Sequence, residues 1–83
     1  MTAMDDIAIR NNHQRFVDGV RVAVKGTLPV REHDGTVRSR AVIVTPDGRT
    51  EVFDGDEIEI AGSGYRVAID VAVPSVTLVP VGP

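Results

Sequence analysis

The chain is predicted to fold as an all-β domain, a small antiparallel barrel or two-sheet sandwich of about seven short strands. Three observations predict this. Apolar and polar residues alternate with a period of two in short runs, most clearly over Val20–Lys25 and Tyr65–Val73. Those runs are cut by Asp-Gly, Pro and Gly turn signals every ~8–15 residues. The apolar content is carried by β-branched Val, with two Phe, one Tyr and no Trp, a composition suited to a pleated, half-buried surface.

Met1–Asp6 reads as a flexible tail, and residues 7–83 as a single domain. Ile7–Arg10 is a short strand and Asn11-Asn12 a turn or bulge. A helix over Asp5–Gln14 would carry that Asn pair in its middle, which disfavours it. His13–Val17 and Val20–Thr27 are joined by Asp18-Gly19, a two-residue hairpin signal because a type I′ turn needs positive φ at both positions. Val20, Val22 and Val24 then face one way, and Arg21, Ala23 and Lys25 the other. Pro29 cannot donate to a ladder and marks an edge or a strand end. The polar loop Arg31–Gly35 leads to a strand over Val37–Thr45, and Pro46-Asp47-Gly48 turns it into Thr50–Phe53. Asp54-Gly55-Asp56 precedes Glu57–Ala61, Gly62-Ser63-Gly64 reads as the next hairpin turn, and Tyr65–Val73 and Ser75–Val81 complete the set.

Eighty-three residues support one thin core, because a chain this short buries only roughly 60–65% of its unfolded surface. Deep substrate clefts are hard to build at that size. With no Cys there is no disulfide framework, thiolate metal site or cysteine nucleophile. The N-terminus is acidic where a signal peptide requires basic residues, and no apolar run approaches the ~20 residues of a membrane span. A cytoplasmic or virion location is expected, with no membrane partner.

The net charge is −3, which argues against a nucleic-acid binder. The charge is nevertheless segregated. Arg10 to Arg49 holds eight basic residues against four acids, whereas Glu51 onward holds six acids and only Arg66. Arg outnumbers Lys eight to one, the usage of a high-GC coding sequence.

No recognisable set of residues carries catalysis. Asp54, Asp56, Glu57 and Glu59 invite a cation, but calcium takes about six to eight oxygens and an EF-hand loop needs a distal Glu this spacing lacks. Side-chain capping of a turn by Asp54 and Asp56, with Glu57 and Glu59 on a solvated strand, is the simpler account. His13 and His33 are far apart in sequence and lack thiolate neighbours for zinc. Gly62-Ser63-Gly64 has neither the spacing nor the following helix of a nucleophile elbow, and no phosphate-binding glycine loop is present. The chain is therefore expected not to be an enzyme and to need no cofactor or metal.

Binding residues are easier to nominate. Arg38 and Arg40 share a strand face, as do Arg21 and Lys25, so neighbouring strands would assemble one basic patch. The competing account is neutralisation by Glu51, Glu57 and Glu59 across strands. Phe16, Phe53 and Tyr65 are expected in the core or at its rim. Tyr65 also carries a polar tip that could anchor a partner. Ala68, Asp70 and Ala72 form a flat, weakly polar face. Val76 and Leu78 belong to a C-terminal run expected at a sheet edge, where another strand could pair.

The spacing Gly55-Asp56, Ile58-Glu59-Ile60, Gly62, Tyr65-Arg66-Val67 and Val76-Thr77-Leu78 resembles short actinobacterial proteins grouped as a domain of unknown function. The resemblance covers the C-terminal part of the chain and not the N-terminal half. It implies an all-β fold and supplies no activity, ligand or site residue.

Three functions follow in order. The first is a non-catalytic protein-binding or assembly module (adaptor, inhibitor or particle subunit) using a sheet face or edge, its partner another protein or copies of itself. The second is a small nucleic-acid-binding barrel using Arg21, Lys25, Arg38 and Arg40. The third is a domain binding a small ligand or cation near Asp54–Glu59.

Overall fold

A computed structural model describes residues 5–82. Met1–Met4, most of the expected tail, lie outside the described residues, while Asp5 and Asp6 are exposed and outside any strand. Eight strands are present among the described residues: β1 (Ile7–Arg10), β2 (Gln14–Val17), β3 (Val20–Arg31), β4 (Val37–Thr45), β5 (Gly48–Phe53), β6 (Glu57–Ile60), β7 (Ser63–Asp70) and β8 (Ser75–Val81). They form two four-stranded antiparallel sheets, β1-β8-β7-β6 and β2-β3-β4-β5. Among the described residues there is no helix, and the stretch Asp5–Gln14 holds β1, a turn and the start of β2.

The sheets pack face to face as a sandwich. Followed round the molecule, the strands come in chain order, with β1 returning to pair with β8. It is an up-and-down arrangement left open at two seams, β1/β2 and β5/β6, where the sheets are not joined by ladder bonds. Alternation supplies the core from both inner faces: Val17, Val22, Val24, Ala41, Ile43 and Val52 from one sheet, and Ile9, Ile60, Tyr65, Val67, Val76 and Leu78 from the other. No polar or charged residue other than Tyr65 is fully buried among the described residues.

Turn chemistry fixes the crossings. Asp18 and Gly19 adopt φ of 50° and 83°, as the β2–β3 hairpin requires. Asn12, at φ 67°, bends the chain from one sheet to the other, held by Asn11 N–H to Pro74 O at 2.8 Å and Asn12 N–H to Val24 O at 2.7 Å. The return crossing is the acidic turn. Asp56 Oδ2 accepts from Phe53 N–H at 2.9 Å, and Asp54 Oδ1 accepts from Ile69 N–H at 2.8 Å. Asp54 and Asp56 thus satisfy main-chain donors where strand pairing stops, as turn-capping carboxylates do.

Several boundaries differ from expectation. The β6–β7 turn is Ala61-Gly62, at φ 52° and 83°, so Ser63 and Gly64 already belong to β7. β7 ends at Asp70, whose carboxylate accepts from Ala72 and Val73 N–H and closes a turn over 71–74. β3 continues through Pro29 to Arg31, where β4 is its only neighbour, so Pro29 does sit on an edge. A bulge makes the extension fit: Lys25 pairs with Val42 but Leu28 pairs with Arg40, one extra residue on β3. Gly26 takes φ +59° there, and Asn11 Oδ1 accepts from Thr27 N–H at 3.1 Å. The side chain of Asn11 replaces a ladder partner that the bulge removes.

Beyond the bulge, β3 and β4 leave the sandwich as a two-stranded arm. β2 pairs only with Val20–Ala23, and β5 reaches no further than Arg40. The pairs Pro29/Ser39, Val30/Arg38 and Arg31/Val37 therefore have no third strand beside them. Twelve extended residues span about 40 Å, in keeping with a molecule of 44 × 26 × 22 Å.

Candidate functional site

The outer face of the β2–β5 sheet, continuing onto the arm, gathers the charged residues singled out above. β3 and β4 are neighbours, so the four cations share one face. Arg21 and Lys25 on β3, Arg38 and Arg40 on β4 and Arg49 on β5 all lie on this face. Register places Phe16 beside Arg21, the row Gln14, Ala23, Val44 and Arg49 next to it, then Lys25, Val42 and Glu51, then Leu28, Arg40 and Phe53. Cations alternate with short apolar side chains. Three shallow hollows of about 380, 430 and 340 Å³ tile the surface, lined in turn by Phe16 with Arg21, by Arg21 with Lys25, and by Lys25 with Arg40 and Arg49.

Part of the charge is internally compensated. Arg40 Nε donates to the Glu51 carboxylate, and Arg38 Nη1 donates to Glu32 Oε1 at 3.2 Å. The Arg38 guanidinium also lies 3.9 Å from the Phe53 ring centroid, a cation–π contact that fixes the arm's base to β5. Glu57 and Glu59 play no part in neutralisation, because they sit on β6 of the other sheet. Among the described residues, Arg21, Lys25 and Arg49 have no ion-pair partner.

Phe16 departs from its expected place in the core or at its rim. It is 67% exposed and its ring centroid lies 5.8 Å from the Arg21 guanidinium carbon. In four-residue β2 it is Val17 that points inward, and one buried position exhausts what so short a strand contributes.

The remaining nominees are placed otherwise. Tyr65 is 3% exposed, so it offers no surface to a partner; its hydroxyl donates to Asp18 Oδ2 at 2.6 Å. That bond ties β7 to the β2–β3 turn across the two sheets. Accepting the phenol's proton so closely, Asp18 holds the Tyr65 pKa above its ordinary value, with burial and the carboxylate charge acting the same way. Val76 and Leu78 are 0% exposed. They lie on a strand flanked by β1 and β7, so the expected C-terminal edge is an interior strand and neither side chain can meet a partner. The flat face does exist: Ala8, Thr77 and Ala68 form one row on the outside of the other sheet, but Ala72 lies in the turn beyond it.

The arm is the part of the site that sequence inspection missed. Its tip is ordered by Asp34 Oδ1, which accepts from Thr36 N–H at 3.0 Å and from Thr36 Oγ1 at 2.6 Å. Those two bonds hold the Asp34 carboxyl below its ordinary pKa. Leu28 and Val37, at 41% and 59% exposure, are two of the four exposed large apolar residues among the described residues. Gly26 was the available signal, since an isolated glycine within a strand pattern often marks a bulge.

His13 and His33 stay apart, one at the β1–β2 turn and the other at the arm tip. No group of three or more His, Cys, Asp or Glu side chains comes within metal-binding reach among the described residues, and no helix among them is long and apolar enough to cross a membrane. No protein-family model, curated protein or solved structure matches the chain.

Proposed function

We propose that the chain is a non-catalytic protein-binding or assembly module that engages its partner through the arm and the adjoining β2–β5 face. The observation that carries this is the arm. A two-stranded ribbon on its own is at best marginal in water, yet here one projects with Leu28 and Val37 exposed and no third strand beside its outer pairs. Apolar residues held on a rigid projection are an economical way to reach into another chain, and the cations behind them add steering toward an acidic surface. The test is capture on immobilised protein from a nuclease-treated lysate, with Val37→Asp and Leu28→Asp as paired controls. A stoichiometric protein retained at ~0.5 M salt, where exposed charges are screened, and lost with either arm variant is the expected result. Capture indifferent to both variants would count against the arm.

A second function draws support from Phe16. An exposed aromatic beside Arg21, with Lys25 and Arg49 unpaired nearby, is the combination that stacks and neutralises single-stranded nucleic acid. Binding would then fall steeply with salt and weaken in Arg38→Glu with Arg40→Glu. Retention on heparin no greater than on a neutral resin would exclude it.

A further inference from the structure

We infer that the partner of the arm is a second copy of this chain, and that the arm of one molecule seats in the β5/β6 seam of the next. This rests on the assembly function proposed above. The seam is one of the two places where the sandwich is open. β5 pairs only with β4 and β6 only with β7, so two unpaired strand edges face each other, a condition natural sheets cover or block. Between them runs a groove of about 300 Å³ with an apolar floor of Ile43, Ile58 and Ile60 and an acidic rim of Asp47 and Glu59, beside Thr50.

The arm presents the complement. One of its faces holds Pro29, Arg31, Val37 and Ser39. Val37 is 59% exposed, and Arg31, also exposed, has no ion-pair partner among the described residues. Arg38 and Arg40 on the opposite face are each committed to a glutamate. Arg31 is therefore the arm cation free to meet the carboxylates of Asp47 and Glu59 while Val37 covers the isoleucine floor.

Position favours a neighbour over self-contact. The arm leaves the end of the sandwich that carries the 11–12, 54–56 and 71–74 turns, whereas the groove lies toward the 46–47 and 61–62 turns at the other end. Two different patches at opposite ends give a ring or a filament when copies run head to tail, and a two-fold pair when two antiparallel copies exchange arms reciprocally.

The absence of cysteine makes the test direct. Val37→Cys and Thr50→Cys are introduced singly and together, and the purified proteins are oxidised and run without reductant. The double variant should give covalent multimers, a ladder if copies run head to tail or a dimer if they exchange arms reciprocally, and neither single variant should dimerise to a comparable yield. Adding Arg31→Glu should cut multimer yield at least about tenfold, as a like-charge contact replaces an attractive one. Asp47→Lys with Glu59→Lys should then restore it. All these positions are exposed, and thermal melts matching the parent verify folding. Rapid dimerisation of Val37→Cys alone would mean symmetric arm pairing and overturn the inference, as would the absence of covalent multimers from the double variant or a failed rescue. If no covalent multimers form but Val37→Asp still abolishes capture of another protein, the assembly function stands and only the identity of the partner fails.

Discussion

Replacing Tyr65 with Phe removes one hydroxyl and tests how the two sheets are tied together. The phenol is buried, and its single hydrogen bond, 2.6 Å to Asp18 Oδ2, bridges residues 47 apart in sequence. A hydrogen bond to a charged acceptor contributes about 1.5–3 kcal/mol. Asp18 is exposed, so water takes the phenol's place in the variant and the loss falls at the low end, about 1.5 kcal/mol. For a domain of this size that corresponds to a Tm lower by about 5–10 °C. The pH dependence has a definite sign. The phenol pKa is raised in the folded protein, first by the bond donated to Asp18, then by burial and the carboxylate charge. A raised pKa contributes stability that is complete below the unfolded value near 10.0 and is lost as pH climbs through the folded one. Tyr65→Phe should therefore trail the wild type at neutral pH and converge with it in strong alkali. With one Tyr and no Trp in the chain, near-ultraviolet phenolate absorbance follows this group alone. Its midpoint should exceed 10.0 and move down in Asp18→Asn, which keeps an acceptor but loses the charge. An unperturbed midpoint together with equal melting of Tyr65→Phe and wild type would refute the bridge.

Three further substitutions test the core, the crossing and the bulge. Leu78→Ala, at a 0% exposed position, should cost about 2–5 kcal/mol in urea unfolding, enough to leave a small domain partly unfolded at ambient temperature. Asp56→Ala strands the Phe53 N–H and should cost about 1–3 kcal/mol by the same measurement; an unchanged midpoint would show that water replaces the cap. Gly26→Ala should cost about 1–2 kcal/mol for a side chain in left-handed backbone, since φ is +59° while a Cβ would meet only ordinary contacts, 3.5 Å to Arg40 and 3.6 Å to Val42.

What could be read along the chain was whatever depends on neighbouring residues. Asp18-Gly19 announces its hairpin because both positions need positive φ, and Val20, Val22 and Val24 announce a buried stripe because side chains alternate. Asp56 was legible as a turn cap for the same local reason, whereas the Asp54 carboxylate accepts from Ile69, fifteen residues on. Contacts between distant segments were not. Nothing near Val76 says that Ile7–Arg10 will pair with it and turn an expected edge into an interior strand. Tyr65 was correctly grouped with Val67 and Ile69 by alternation, but its choice of Asp18 depends on how the sheets face. The basic patch was half visible: the alternation of Arg38 with Arg40 could be read, whereas the adjacency of β3 and β4 and the removal of Glu57 and Glu59 to the other sheet are matters of topology. Phe16 misled because four residues of strand carry too little pattern to outweigh the expectation that an aromatic ring is buried.

The return of β1 to β8 also bears on how the molecule is made. Every other ladder joins strands consecutive in the chain, so β2–β5 and β6–β8 can each grow as successive hairpins with little loop entropy lost at each step. β1 is the latch. It is four residues long, swings from the Asn11-Asn12 bend, and inserts Ile9 among side chains already assembled. Its amides should gain hydrogen-exchange protection last in refolding and lose it first in sub-global opening, exposing Val76 and Leu78 along an edge that is otherwise covered. In a crowded solution that brief opening is the moment when β1 of another molecule could be exchanged into the gap.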